Sequence, residues 1–238
     1  MRVSVVVPAL DEGETVGGVV KQARASGADE VLVIDSDSRD DTAQRAAEAG
    51  ATVVNWRDID PQPVRPGKGE ALWRGVKAAS GDVVVFLDAD VTTVEPWWVD
   101  TLAAPLEDPA IHLVKAAYRR ANDGGRVTEL TAKPLLRLFF PDVPQLDQPL
   151  AGEYAIRRET ALRLPFAAGY GVEAGLLIDV ASAHTPAAIA QAELSPREHR
   201  NRPLAQLGPM ADVVARTILA RAGVGDAEVR ERPAWVDG

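Results

Sequence analysis

Residues 3–7 form an almost unbroken run of valines, Val3-Ser4-Val5-Val6-Val7, with no polar alternation. Such a run fits a strand covered on both faces. Residues 14–25 then carry apolar positions at helical spacing and stop at Gly27, a residue suited to a helix C-cap. Residues 31–34 read as a second buried strand, 41–49 as a helix ended by Gly50, and 51–55 as a third strand. Strand and helix alternating at short intervals predict a parallel sheet with right-handed crossovers. The segment 57–66 holds three prolines and reads as a loop. A helix over 69–79, a strand over 83–87, a helix over 96–106 and a strand over 111–118 follow.

The pattern then loosens. Asn122-Asp123-Gly124-Gly125 is a turn, and 127–140 is helical, with Pro134 expected to kink or divide it. Residues 141–149 are a proline-rich connector. A strand over 151–156, a short helix over 159–164, an apolar helix over 172–183, a strand over 189–194 and an amphipathic helix over 204–222 complete the order. The expected fold class is α/β, a Rossmann-like, mostly parallel sheet flanked by helices. Residues 1–120 are expected to form its nucleotide-binding half, 121–222 an appended half of the same domain, and 223–238 a polar, loosely ordered C-terminal tail.

Composition narrows the classes. The 238 residues are 46% hydrophobic and 26% charged, enough for one large globular α/β domain. No stretch approaches the ~18 apolar residues of a membrane span. The N-terminal run is too short and too β-branched for a signal peptide, so a cytoplasmic enzyme is expected. The absence of cysteine excludes disulfides, thiolate metal sites and cysteine nucleophiles. A net charge of -9 argues against a nucleic-acid partner.

The chemistry centres on Asp88-Ala89-Asp90, at the carboxyl end of the fourth apolar run. Open α/β sheets bind their ligands at that edge. Side chains at i and i+2 on extended backbone point the same way, and paired carboxylates repel unless a cation lies between them. A hard divalent ion bridging to a substrate phosphate is the usual reason for such a pair. A solvated acidic turn is the alternative. Similar pairs occur at Asp35/Asp37 and Asp58/Asp60, but only 88/90 follows a fully apolar strand in the middle of the sheet order. The loop Pro8-Ala9-Leu10-Asp11-Glu12 is acidic where a dinucleotide site would be glycine-rich. It suits a base or ribose rather than a bare pyrophosphate. Gly67-Lys68-Gly69 lacks the spacing and the Ser/Thr of a P-loop. Metal neutralisation at Asp88 and Asp90 would fill the gap these two loops leave.

Other positions keep two readings each. In Asp35-Ser36-Asp37-Ser38, the first two are ligand candidates, while Asp37 and Ser38 serve equally as a helix cap. Lys68 is a phosphate contact or a surface lysine. Gly125-Arg126-Val127-Thr128 is an anion site or an ordinary capped turn. Glu173 ordinarily favours a helix dipole. His199 in Arg197-Glu198-His199-Arg200-Asn201-Arg202 sits in a polyanion pocket or a solvated basic turn. His112 and His184 read as structural, and Trp73, Trp97 and Trp98 as core or sheet-covering.

Together the motifs at Pro8–Glu12, Asp35–Ser38, Gly67–Trp73 and Asp88–Asp90 resemble a GT-A-fold glycosyltransferase. Gly125-Arg126-Val127-Thr128-Glu129-Leu130, Gly152-Glu153-Tyr154, Gly169-Tyr170-Gly171-Val172-Glu173 and His199-Arg200-Asn201-Arg202-Pro203-Leu204 narrow the resemblance to actinobacterial glucosyl-3-phosphoglycerate synthases, over nearly the whole chain. The resemblance implies retaining transfer of glucose from UDP-glucose to the 2-hydroxyl of 3-phosphoglycerate, with a divalent cation, Mg2+ or Mn2+, in a homodimer without nucleic-acid or membrane partners. It assigns Pro8, Leu10, Glu12 and Ser36 to uracil and ribose, and Lys68, Asp88 and Ala89 to the rest of the donor. Asp90 and His199 would hold the metal, and Asp90 and Glu173 would act at the reacting centre, Glu173 on glucose hydroxyls. Gly125, Arg126, Thr128 and Asn201 would bind the acceptor's phosphate and carboxylate. The chain is shorter than these relatives at both ends and between Tyr118 and Gly124, so GDP-mannose or another nucleotide sugar, or another small acidic acceptor, is the alternative. A nucleotidyltransferase would need a basic, glycine-rich first loop, and Pro8–Glu12 is acidic. A non-catalytic sugar-nucleotide sensor is a further reading.

Overall fold

The computed structural model describes residues 1–118, 125–196, 204–225 and 229–236. The first half alternates as the sequence predicts: β1 (Val3–Ala9), α1 (Val16–Ala25), β2 (Glu30–Asp35), α2 (Thr42–Glu48), β3 (Thr52–Asn55), α3 (Trp56–Ile59), α4 (Lys68–Ala78), β4 (Val83–Phe86), α5 (Trp97–Ala103) and β5 (Leu113–Ala117). The second half contributes α6 (Lys133–Phe139), β6 (Tyr154–Arg157), α7 (Arg158–Leu162), β7 (Phe166–Ala167), α8 (Val172–Ala183), β8 (Ile189–Glu193), α9 (Leu204–Arg221) and β9 (Glu231–Arg232).

One seven-stranded sheet runs β3-β2-β1-β4-β6-β5-β8, and β6 alone is antiparallel to its neighbours. Val5 stands opposite both Val31 and Val85, so the valine runs of β1, β2 and β4 lie side by side. Successive side chains leave opposite faces of a strand. Val6, Ile34 and Phe86 therefore pack with Leu72 and Trp73 of α4 on one face, and Val5, Val7, Val33 and Val85 pack with Val19, Trp98 and Leu102 on the other. Both faces are covered, which is why these strands read as continuous apolar runs.

Several expectations are corrected. The segment 57–66 is not all loop: α3 opens it, its first N–H groups capped by the Asn55 side chain, which accepts from Arg57 N–H at 2.9 Å. Asp37 and Ser38 do not cap α2, which begins after Asp41. Proline 134 does disturb its helix: residues 128–132 widen to a π turn and α6 restarts at Lys133, leaving the proline in a first turn, where its missing N–H costs nothing. Trp73 and Trp98 are core residues, but Trp97 is 40% exposed. His112 and His184 stack at 3.6 Å, consistent with their structural reading. The described part of the C-terminal segment is not ragged: β9 pairs with β7, and Trp235 stacks on Trp73 at 3.5 Å. Among the described residues, no helix is long and apolar enough to cross a membrane.

Candidate active site

β1, β2 and β4 all end at one edge of the sheet, and β6, running the other way, begins there. A cavity of about 260 Å³ opens at this edge. Its walls include Pro8, Leu10 and Glu12 from the first loop, Ser36 from the second, Lys68 from the head of α4, and Asp88, Ala89 and Asp90 after β4. Every residue expected to bind the donor is therefore in one wall, gathered from four separate stretches of the chain. Trp56, Gly67, Ala71 and Tyr170 line it as well.

The first loop is shaped by its neighbour. Asp11, at φ 55°, donates its N–H to Ser38 Oγ (3.0 Å), and its carboxylate accepts from Arg39 N–H (2.7 Å). Glu12 N–H donates to Thr42 Oγ1 (2.8 Å). These bonds fix the backbone while Leu10 stays exposed at the cavity. Asp37 is taken up elsewhere: Arg57 bonds it at 2.6 Å and, with Asn55, holds its carboxyl down at about 2.

Lys68 is not a surface lysine. Its Nζ lies 2.6 Å from Asp88 Oδ1 and 2.7 Å from Glu173 Oε1, with the three side chains 16%, 20% and 5% exposed. Burial alone would push the ammonium down, but the two carboxylates outweigh it and hold the pKa well above the usual lysine range. The backbone around it is tightly placed. Gly67 has φ 125°, a conformation open to glycine, and β-carbons at Gly67 or Gly69 would overlap the carbonyl oxygens of Ala168 and Ala167. Gly152 plays the same part for Asp88, since a β-carbon there would overlap the Asp88 carboxylate. Glu173 reaches Lys68 from the first turn of α8. Its role is thus more than a dipole partner.

A second buried cation lies beneath. Lys115, in β5, donates to the Ala151 carbonyl at 2.6 Å and sits 4.3 Å over the Tyr154 ring. Burial lowers its pKa to about 7, against the opposing pull of Glu173. Sequence reading missed Lys115, although a lone lysine within Leu113-Val114-Lys115-Ala116-Ala117 is a signal that it needs a partner. It also missed Trp56, which directly follows β3 at the ligand-binding edge.

The residues expected to bind the acceptor are less completely placed. Gly125 (φ 84°), Arg126 and the buried Thr128 stand at the head of the π turn, outside the lining of the donor cavity. His199 and Asn201 lie outside the described residues. No cluster of three or more His, Asp or Glu side chains poised for a metal occurs among the described residues. Asp90, beside Asp88 in the cavity wall, fits a hard cation that takes few protein ligands and fills its remaining positions from a diphosphate.

Comparison with known proteins gives the family and agrees with the fold. The family described as Glycosyl transferase family 2 matches residues 4–169. Glucosyl-3-phosphoglycerate synthase of Mycolicibacterium paratuberculosis is 48% identical over 95% of this chain and 74% of its own length. The Petrotoga mobilis enzyme of the same name is 40% identical over 93% of this chain and 73% of its own. The crystal structure of glucosyl-3-phosphoglycerate synthase from Mycobacterium tuberculosis with Mn2+, UDP-glucose and phosphoglyceric acid superposes with a TM-score of 0.93 at 45% identity, covering 98% of this chain and 90% of that one. A second structure of that enzyme holds Mg2+ and UDP, with a TM-score of 0.89 at 45% identity. This chain belongs to glycosyl transferase family 2 and, in it, to the glucosyl-3-phosphoglycerate synthases.

Proposed function

We propose that this protein transfers glucose from UDP-glucose to the 2-hydroxyl of 3-phosphoglycerate, with retention at the anomeric carbon. The observation that carries the reading is the cavity at the sheet edge, whose wall holds all the expected donor residues around the Lys68–Asp88–Glu173 ion pairs. The solved relative with Mn2+, UDP-glucose and phosphoglyceric acid supports both the substrates and the cation.

Pro8, Leu10, Glu12 and Ser36 hold uracil and ribose, and Asp88 and Ala89 border the ribose and diphosphate. Asp90, with His199, holds a divalent cation, which supplies Lewis-acid charge to the departing diphosphate. Lys68 adds a fixed positive charge beside the donor and orients Glu173 toward the glucose hydroxyls. Because Glu173 is already bonded to Lys68, it suits hydroxyl binding better than covalent attack. Retention then follows from attack on the face the diphosphate leaves, with a leaving phosphate oxygen taking the acceptor's proton. Gly125, Arg126, Thr128 and Asn201 bind the acceptor's two anionic groups, for which a guanidinium and backbone amides are the matching donors. In this reading residues 1–120 are the donor half, 121–222 the acceptor half and 223–238 the C-terminal tail of one domain, in a homodimeric cytoplasmic enzyme.

The test is release of UDP from UDP-glucose with and without 3-phosphoglycerate, with an EDTA control and a panel of UDP- and GDP-sugars. Release that depends on 3-phosphoglycerate is the expected result. Preference for a GDP-sugar would overturn the donor, and indifference to every phosphoglycerate would overturn the acceptor.

A further inference from the structure

The segment 229–236 grips the one helix that delivers Lys68. β9 pairs antiparallel with β7, Phe166 opposite Arg232 and Ala167 opposite Glu231, and Ala168 N–H donates to the Arg230 carbonyl at 2.9 Å. The carbonyls of Ala167 and Ala168 in turn press on Gly69 and Gly67, the residues on either side of Lys68. No side chain separates β7 from the head of α4, so a shift of the C-terminal strand is passed backbone to backbone.

A buried network adds a second hold. Arg232 donates through Nε and one amino group to the two carboxylate oxygens of Glu70, at 2.7 and 2.8 Å, and through the other to Gln62 Oε1 at 2.9 Å. It also bonds the Pro63 carbonyl. Glu70 lies on the first turn of α4 and has no solvent exposure. Arg74 takes the same carboxylate at 2.7 Å and spends its remaining donors on the carbonyls of Trp56, Asp60 and Gln62. A third hold lies farther along the helix. Trp235 donates Nε1–H to the Trp73 carbonyl, and Trp73 donates its own to the Pro233 carbonyl, both at 2.9 Å.

The charge count is informative. Glu70 and Arg74 alone form a neutral buried pair, so Arg232 leaves this cluster with a surplus positive charge that burial makes costly. What the guanidinium adds is geometry, a rigid fork tying the tail to the turn of α4 that carries Lys68.

We propose that Arg232 is a positioning residue: the C-terminal segment holds the head of α4 in register with Asp88 and Glu173, and so sets the affinity for the nucleotide-sugar donor. This rests on the donor reading above. Full-length Arg232→Met keeps the neutral Glu70–Arg74 pair and the aliphatic stem, and Arg232→Lys keeps the charge without the fork. At a temperature where circular dichroism shows the proteins folded, Arg232→Met is expected to raise the UDP-glucose KM about tenfold while the 3-phosphoglycerate KM stays near the wild-type value, and Arg232→Lys to recover part of the loss. A lowered melting temperature with both KM values unchanged would overturn the proposal, leaving Arg232 merely structural. Should Arg232→Met fail to fold, Trp235→Leu is put to the same KM comparison with the same two outcomes. Wild-type protein that releases no UDP from UDP-glucose would overturn the donor reading itself, and this inference with it, whereas active wild type with an unaltered Arg232→Met KM overturns only the inference.

Discussion

Lys68 and Asp88 form an ion pair of 2.6 Å although one heads a helix and the other follows a strand, and Glu173 shares the same ammonium at 2.7 Å. The two carboxylates therefore share this ammonium. Lys68→Met would leave both without that counter-charge. We expect it to cost about 3 kcal/mol of stability, the usual consequence of breaking a buried pair, and to lower kcat/KM at least about 100-fold. Lys68→Arg keeps the charge and is expected to rescue only part of the loss, because a larger planar guanidinium must fit where the ammonium sits 2.6 Å from Asp88 and 2.7 Å from Glu173. Thermal unfolding together with UDP release checks both; wild-type turnover in Lys68→Met would contradict the donor assignment.

Gly152 lies where any side chain would enter the Asp88 carboxylate. Gly152→Ala should displace Asp88 while leaving the sheet folded, with kcat/KM down about 100-fold, the scale of an ångström of misplacement at a reacting centre. Steady-state kinetics beside a circular dichroism spectrum tests this. An alanine variant with unaltered kinetics would show that Asp88 has room to move.

For Asp90, replacement by Ala is expected to reduce turnover to background. EDTA should silence the wild type, and excess Mg2+ or Mn2+ should restore it while leaving Asp90→Ala inactive. Metal-dependent activity retained in the variant would place the cation elsewhere.

Lys115 gives a pH dependence with a definite sign. Its folded-state pKa is about 7, below the value of 10.5 for an ordinary lysine. Between those limits the unfolded chain keeps a proton that the folded chain has released, so this group makes stability rise with pH across that window and penalises folding below it. Lys115→Met should therefore be more stable than wild type at about pH 6, by a few kcal/mol at most, with the advantage shrinking toward pH 10. Urea midpoints at several pH values measure it, and an advantage that does not depend on pH would refute the assignment.

Much of this could be read from the chain because both sheet faces are buried. Val3–Ala9, Glu30–Asp35 and Val83–Phe86 announce themselves as apolar runs, and Val172–Ala183 as a helix apolar around its circumference. Their carboxyl ends then point to Ser36, Asp88 and Asp90. What stayed hidden depends on distant partners. Lys68 is legible as a donor contact, but its pairing with Glu173, 105 residues later, is not. Arg232 reads as part of a polar tail until Glu70, 162 residues earlier, is beneath it. The direction of β6 is likewise absent from Tyr154-Ala155-Ile156-Arg157, since its three buried positions look alike from either end.

That reversed strand constrains how such an enzyme can be altered. β6 lies between β4 and β5, so the second half of the chain supplies an inner plank of the sheet whose edge carries the cavity. Exchanging residues 121–222 between relatives as a cassette would cut through the sheet's hydrogen bonds rather than along a seam. Changes to the cavity are more readily grafted as loops at the rim where β6 begins, leaving the planks in place.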